Sequence, residues 1–162
     1  MSFRAGIGYD SHRFTAGKPL RLGGVVVPHT HGLAGHSDGD AALHAIVDAL
    51  LGAAALGDIG QHFADDDPQW KGMDSTVFCR RIVEVLAEAG FAPHNVDVTI
   101  VCERPKLAAL IPAMREATAK ALGLTPAEVS YKAKTNEGMG SIGKGEGIAA
   151  IAMATVRSLP SP

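Results

Sequence analysis

The 162-residue chain is poor in cysteine, in aromatic side chains and in net charge. It also has no long apolar run. Its two cysteines, Cys79 and Cys102, form no CxxC pair, which argues against a disulfide framework and fits a reducing compartment. Aromatics are 5% of the residues, so Ala, Val, Ile and Leu must fill the core, and side chains that small favour close helix–sheet packing. A net charge of −2 argues against broad nucleic-acid binding or adhesion to anionic membranes. Apolar stretches such as ALLGAAAL fall far short of a membrane span. The N-terminus MSFRAGIGYD has no apolar leader, so the expectation is no signal peptide and a cytoplasmic protein.

The length suits a single domain over 1–162, able to bury roughly 70% of the surface of its unfolded chain. Residues 3–9 and 20–28 read as strands, the second interrupted by Gly23-Gly24. A helix is predicted over 39–54, capped by Ser37 or Asp38, with Leu43, Ile46, Val47, Leu50 and Leu51 on one face. A carboxylate-rich loop follows. Ser75 is expected to cap a helix reaching Ala89. NVDVTIVCE alternates as a strand, and Pro112 suits the first turn of a helix to Leu122. Thr125–Glu128 has the capping-box pattern, and VSYKAKTNE reads as another strand. IAAIAMATV fits a strand or a buried helix, of which the strand is preferred. SLPSP is expected to fray. The order β-β-α-α-β-α-β-β predicts an α+β domain, a mixed sheet with helices on one face in ferredoxin-like layering. The other sheet face then needs cover, which an oligomer would supply.

The richest chemistry lies in Asp10, His12 and His44. Asp10 and His12 are two apart directly after the predicted first strand, and side chains two apart on a strand share a face. His44 lies on the first helix. Two imidazoles and a carboxylate suit Zn²⁺ and leave its fourth position open, which points to Lewis-acid catalysis rather than a structural staple. Asp48, four residues after His44, could orient that imidazole or simply be solvated. Gly138 to Lys144 matches G-x₄-G-K, but Gly145 stands where a P-loop needs Ser or Thr, so an ATPase loop is rejected; a phosphate cradle of backbone N–H groups and Lys144 survives. Glu137 offers oxygen ligands for a hard cation such as Mg²⁺. Asp65, Asp66 and Asp67, near Asp58 and Gly60, fit either a solvated loop or a functional wall, as a ribose-hydroxyl acceptor or a metal-ion wall. Together these features favour phosphoryl chemistry.

The stretch GHSDGDAALHAIVDALLGAAALGDIGQHFADDDPQWKGMDS, with GYDSHRF, NVDVTIVCERPKL, KAKTNEGMG and GKGEGIA in order, resembles the 2-C-methyl-D-erythritol 2,4-cyclodiphosphate synthase family over nearly the whole chain. The resemblance implies a homotrimer with active sites between subunits, and a lyase of the non-mevalonate isoprenoid pathway. Its substrate would be 4-diphosphocytidyl-2-C-methyl-D-erythritol 2-phosphate, whose 2-phosphate attacks the β-phosphorus and expels CMP. By motif match, Asp10, His12 and His44 hold Zn²⁺ and Glu137 holds Mg²⁺ or Mn²⁺. His36 and Thr135 stabilise the transition state. Ser37 is among the substrate contacts, and Asp58, Ile59 and Gly60 match the methylerythritol-binding segment, with Phe63, Asp65 and Asp67 beside it. Cys102, Pro105, Lys106, Leu107, Ala108, Lys134, Thr135, Asn136 and Glu137 contact the cytidine nucleotide. Ser141 and Lys144 replace a Phe and an Arg common near the family's central cavity, which bears on isoprenoid diphosphate binding there. From the residues alone two other classes remain open: a non-haem Fe(II) oxygenase, which uses the same triad, and a non-catalytic trimer that binds isoprenoid diphosphates.

Overall fold

The computed structural model describes residues 2–64 and 66–160. Its first strand, β1 (Phe3–Thr15), runs well past the predicted end and carries Asp10 and His12 in its C-terminal half. Next come β2 (Leu20–Leu22) and β3 (Val25–Val27), an antiparallel pair that turns at Gly23-Gly24, so the expected second strand is a small hairpin. A two-residue strand, β4 (Gly32–Leu33), was not foreseen. The helices are α1 (Ala41–Ala54), the short α2 (Ile59–His62) and α3 (Ser75–Glu88). β5 (Phe91–Val101), α4 (Ile111–Leu122), β6 (Val129–Lys134), a four-residue α5 (Gly140–Gly143) and β7 (Gly147–Ser158) complete the chain.

Two predicted caps move. Asp40, not Ser37 or Asp38, caps α1, accepting from the Leu43 N–H at 3.0 Å. Its carboxylate also accepts from the Gly23 and Gly24 N–H groups, at 2.9 and 2.8 Å, so one buried side chain ties the helix start to the hairpin turn. Asp74 caps α3, and Ser75 is the first helical residue. Asp38 is turned away from α1 by accepting from the Ser75 N–H at 2.9 Å. Near the C-terminus, the Ser158 N–H reaches the Ser2 carbonyl at 2.9 Å and the Leu159 N–H the Gly90 carbonyl at 2.8 Å, so the expected fraying does not begin there. Residues 161 and 162 lie outside the described residues.

The fold is a single α+β domain. Its five-stranded sheet has the order β4-β1-β7-β5-β6, mixed because β5 and β6 are parallel while β7 is antiparallel to both β1 and β5. The strand reading of IAAIAMATV therefore holds, extended to Gly147–Ser158, and β7 is the central strand. α1 lies on β1 and β7, α3 beside it and α4 against β6, all on one sheet face. Gly6 and Gly8 make the closest approach possible. A Cβ on Gly8 would sit 1.9 Å from the Ala45 carbonyl oxygen, and one on Gly6 2.1 Å from that of Ala49. Strand backbone thus touches helix backbone, and this brings Asp10 and His12 up to His44. The opposite sheet face is open: Ile7 and Tyr9 on β1 alternate with the buried set, and Met153 and Ile151 pair directly across from them. No helix among the described residues is long and apolar enough to cross a membrane.

Candidate active site and metal centre

Three side chains converge at the C-terminal half of β1. Asp10 Oδ2 lies 2.7 Å from His12 Nε2 and 3.0 Å from His44 Nδ1, and the two nitrogens are 3.3 Å apart. Among the described residues this is the one His/Cys/Asp/Glu cluster with metal-binding geometry. Hydrogen bonding alone serves it poorly, because protons on both nitrogens would point at the same oxygen and crowd each other. A single cation removes that conflict. The outer ring atoms are already engaged: His12 bonds the Ala34 backbone, and His44 Nε2 lies 2.9 Å from Ser75 Oγ and 3.2 Å from Ser37 Oγ. Such outer contacts fix ring orientation and leave the inner nitrogens for a metal. The donor set fits Zn²⁺.

The charges agree. Burial alone would raise the Asp10 pKa, but hydrogen bonds from His12 and His44 outweigh it and hold the carboxyl down to about 2. Burial would lower His12, but the bond to Asp10 outweighs it and raises the imidazole pKa. Asp48 does not orient His44. Its carboxylate accepts from the Ile59 N–H at 2.7 Å, anchoring the turn into α2 instead. An i, i+4 spacing puts two residues on one helix stripe without deciding which way either reaches.

The triad opens into a cavity of about 510 Å³. His36, Ser37, Ile59, Gly60 and Phe63, which the resemblance assigned to the substrate, line it. The His36 Nε2–H donates to the Asp67 carbonyl at 3.1 Å, which folds the acidic loop toward the triad. Asp58 caps α2 and Asp67 caps the 3₁₀ turn Pro68–Trp70. Asp65 lies outside the described residues. Trp70, from the carboxylate-rich loop, and Phe78, on α3, also line the cavity, and the sequence reading assigned neither to the site. They pack on Phe63, Trp70 edge-to-face at a centroid distance of 5.1 Å and Phe78 tilted at 4.5 Å.

The remaining predicted residues form a second group. Cys102, Pro105, Lys106, Leu107 and Ala108 follow β5, while Lys134, Thr135, Asn136 and Glu137 end β6 and run on. The two segments are tied by the Cys102 N–H to the Lys134 carbonyl at 2.9 Å and the Asn136 N–H to Glu103 Oε1 at 2.8 Å. None of them lines the triad cavity. Register places both groups at the same end of the sheet, since Asp10 and Ile100 each pair with Ala150, but β7 stands between them. Burial pushes the Cys102 thiol up to about 11, only partly offset by Lys106, so it is no nucleophile at neutral pH. Ser141 lines a second cavity, beside His12, Arg13 and Glu146, and Lys144 follows α5.

The comparisons with known proteins bear on this arrangement. A sequence profile of the YgbB family matches residues 3–157. The chain belongs to the YgbB family. A relative from Salinibacter ruber (strain DSM 13855 / M31), named 2-C-methyl-D-erythritol 2,4-cyclodiphosphate synthase, is 56% identical over 155 residues, 96% of this chain and 99% of its own. Among solved structures, the bifunctional IspDF from Campylobacter jejuni is similar at a TM-score of 0.93 and 36% identity over 98% of this chain, which spans 43% of that longer protein. A Plasmodium falciparum IspF in complex with CDP matches at a TM-score of 0.84 and 28% identity, covering 98% of each chain. Family membership thus extends across β1, the helices and β7, and the triad and both residue groups fall within it.

Proposed function

We propose that this chain converts 4-diphosphocytidyl-2-C-methyl-D-erythritol 2-phosphate into 2-C-methyl-D-erythritol 2,4-cyclodiphosphate and CMP. The observation that carries the reading is the convergence of Asp10, His12 and His44 on one cavity flanked by His36 and the Asp58–Gly60 turn. The names of the relatives support the same substrate class. A 2-phosphate oxygen forms a bond to the β-phosphorus, the bond from that phosphorus to the bridging oxygen breaks, and CMP leaves with the bridge. The attacking phosphate is already a nucleophile, so no Ser–His pair is needed. Positioning and charge neutralisation dominate such a reaction. Asp10, His12 and His44 would hold Zn²⁺ and Glu137 Mg²⁺ or Mn²⁺; when bound, these ions supply Lewis-acid polarisation and neutralise phosphate charge. His36 and Thr135 hydrogen-bond phosphate oxygens as charge develops. Asp58, Ile59, Gly60, Phe63, Asp65 and Asp67 wall the methylerythritol, with Ser37 beside them. The segments Cys102–Ala108 and Lys134–Glu137 take the cytidine nucleotide.

β7 separates the two residue groups within one subunit, which favours completion of each site by a neighbour. The open sheet face favours it too: Ile7 is 74% exposed, Tyr9 61%, Met153 53% and Ile151 41%. Contiguous apolar patches of this kind mark interfaces. A homotrimer with ferredoxin-like layering, sheets inward and helices outward, covers that face. Its central axis would hold Ser141 and Lys144 near any isoprenoid diphosphate, with a weaker grip than Phe and Arg would give. The enzyme would work in the cytoplasm.

The test is incubation of purified protein with the cytidine substrate and Mg²⁺, with CMP and the cyclic product followed together. Formation of both in equal amounts is expected. Absence of both from a zinc-loaded trimer, or iron binding with oxygen-dependent turnover, overturns the reading.

A further inference from the structure

We propose that Asp38 and Ser75 act as a pair of positioning residues for His44, fixing which of its ring nitrogens faces the metal. The inference rests on the metal reading above and adds two side chains that touch neither ion nor substrate. Asp38 lies in the loop before α1, and Ser75 is the first residue of α3. The Asp38 carboxylate accepts from the Ser75 N–H at 2.9 Å, from the Asp40 N–H at 3.1 Å and from the Ser75 hydroxyl. The Asp38 N–H in turn donates to the Met73 carbonyl at 3.1 Å. Both residues are therefore held at several points, and Ser75 is fully buried.

The direction of the hydrogen bonds decides the rest. A carboxylate accepts and does not donate, so the Ser75 hydroxyl hydrogen is committed to Asp38. What Ser75 Oγ presents to His44 is a lone pair, at 2.9 Å from Nε2. With a cation held at the triad, His44 must then carry its ring proton on Nε2, which leaves the Nδ1 lone pair facing Asp10 and His12; without one, Nδ1 is free to carry a proton to Asp10. The other neutral tautomer would aim an N–H at the position of the ion. Ser37 Oγ, at 3.2 Å from the same nitrogen, is a longer contact and has no carboxylate behind it among the described residues. The relay also joins three elements at one point: the loop after β4, α1 and α3. An imidazole ligand backed in this way binds metal more tightly because its orientation and tautomer need no rearrangement.

The experiment uses the zinc-loaded full chain as purified, with Ser75→Ala, Asp38→Asn and the double variant. Zinc affinity is read by competition with a chromophoric chelator. Each single variant should lose affinity about 10- to 100-fold, and the double variant should lose little more than the worse single, because the two residues act as a unit. The His44 ring proton is followed in parallel by NMR of histidine-labelled protein. In the native protein it should sit on Nε2 and exchange slowly with water, and in Ser75→Ala it should exchange fast. A merely structural role predicts a lower melting temperature with native zinc affinity in the folded protein, and that result overturns the proposal. Fast exchange of the His44 proton in the native protein overturns it as well, and this measurement decides the matter even if a variant fails to fold. A native chain that binds no zinc defeats the metal reading instead, while the ring proton still judges the relay.

Discussion

Gly8→Ala is the sharpest perturbation of this fold. The added methyl would sit 1.9 Å from the Ala45 carbonyl oxygen and 2.8 Å from the Ala49 nitrogen, both backbone atoms of α1 that no rotamer change can move. Ordinary contact begins near 3.4 Å, so α1 must lift from β1 by more than an ångström. Overpacking of this kind costs about 1–3 kcal/mol and sometimes more. Because the contact is backbone on backbone, we expect at least ~3 kcal/mol. The same shift carries His44 away from Asp10 and His12, whose ligand atoms now lie 2.7–3.3 Å apart. Zinc affinity should therefore collapse together with stability. Gly52→Ala is the control. It lies on the same helix with its nearest atom, the Ile7 carbonyl oxygen, at 4.0 Å, and replacing a helical glycine should stabilise by roughly 0.5–1 kcal/mol. Urea unfolding and chelator competition on both variants make the comparison. A Gly8→Ala protein within ~0.5 kcal/mol of native and with native zinc affinity would refute the idea that this seam sets the site.

Three further outcomes are expected. Ile7→Asp should break the assembly to monomers in analytical ultracentrifugation and abolish CMP release while sparing zinc binding, since the triad belongs to one subunit; an active trimer would count against the open face as the interface. In protein stripped of zinc, the Asp10 pKa of about 2 lies below the ordinary 3.8, so its stabilisation is full above 3.8 and is lost as pH falls toward 2. Asp10→Asn should flatten that acid limb of the urea midpoint, and parallel curves for the two proteins would refute it. Trp70, the chain's single tryptophan, lines the triad cavity, so substrate or CDP should change its fluorescence, and Trp70→Phe should remove the signal with zinc affinity unchanged. Ligand binding, measured independently, with no change in emission would place the ligand elsewhere.

Much of this was legible in the sequence. The period of Leu43, Ile46, Val47, Leu50 and Leu51 foretold α1, and the D-x-H spacing foretold Asp10 and His12 on one face. Caps were harder, because Ser37, Asp38 and Asp40 are all good cap formers and only the fold decides whose oxygen reaches Leu43. Asp48 failed for a related reason: its neighbour on the helix stripe lost to the Ile59 N–H brought in by the following turn. Trp70 and Phe78 gave no signal, since a cavity wall and a core use the same side chains. The separation of the triad from the Cys102 and Glu137 segments was illegible too, because it depends on β7, the last strand, inserting between β1 and β5.

That long first strand has a consequence for folding fidelity. β1 and β7 are paired residue by residue from Phe3–Arg157 to Arg13–Gly147. The even-numbered residues Gly6, Gly8, Asp10 and His12 face the helix, and the odd-numbered Ile7, Tyr9 and Ser11 face outward. A slip of one position would exchange the two sets completely. Ile7 and Tyr9 would then be driven into a seam with no room for a Cβ, and Tyr9 and Ser11 would meet His44 in place of a carboxylate and an imidazole. Only the native register brings those three donors together, so an ion held there during folding would act as a proofreader: it would favour one alignment of the ribbon and give nothing to its neighbours one residue away.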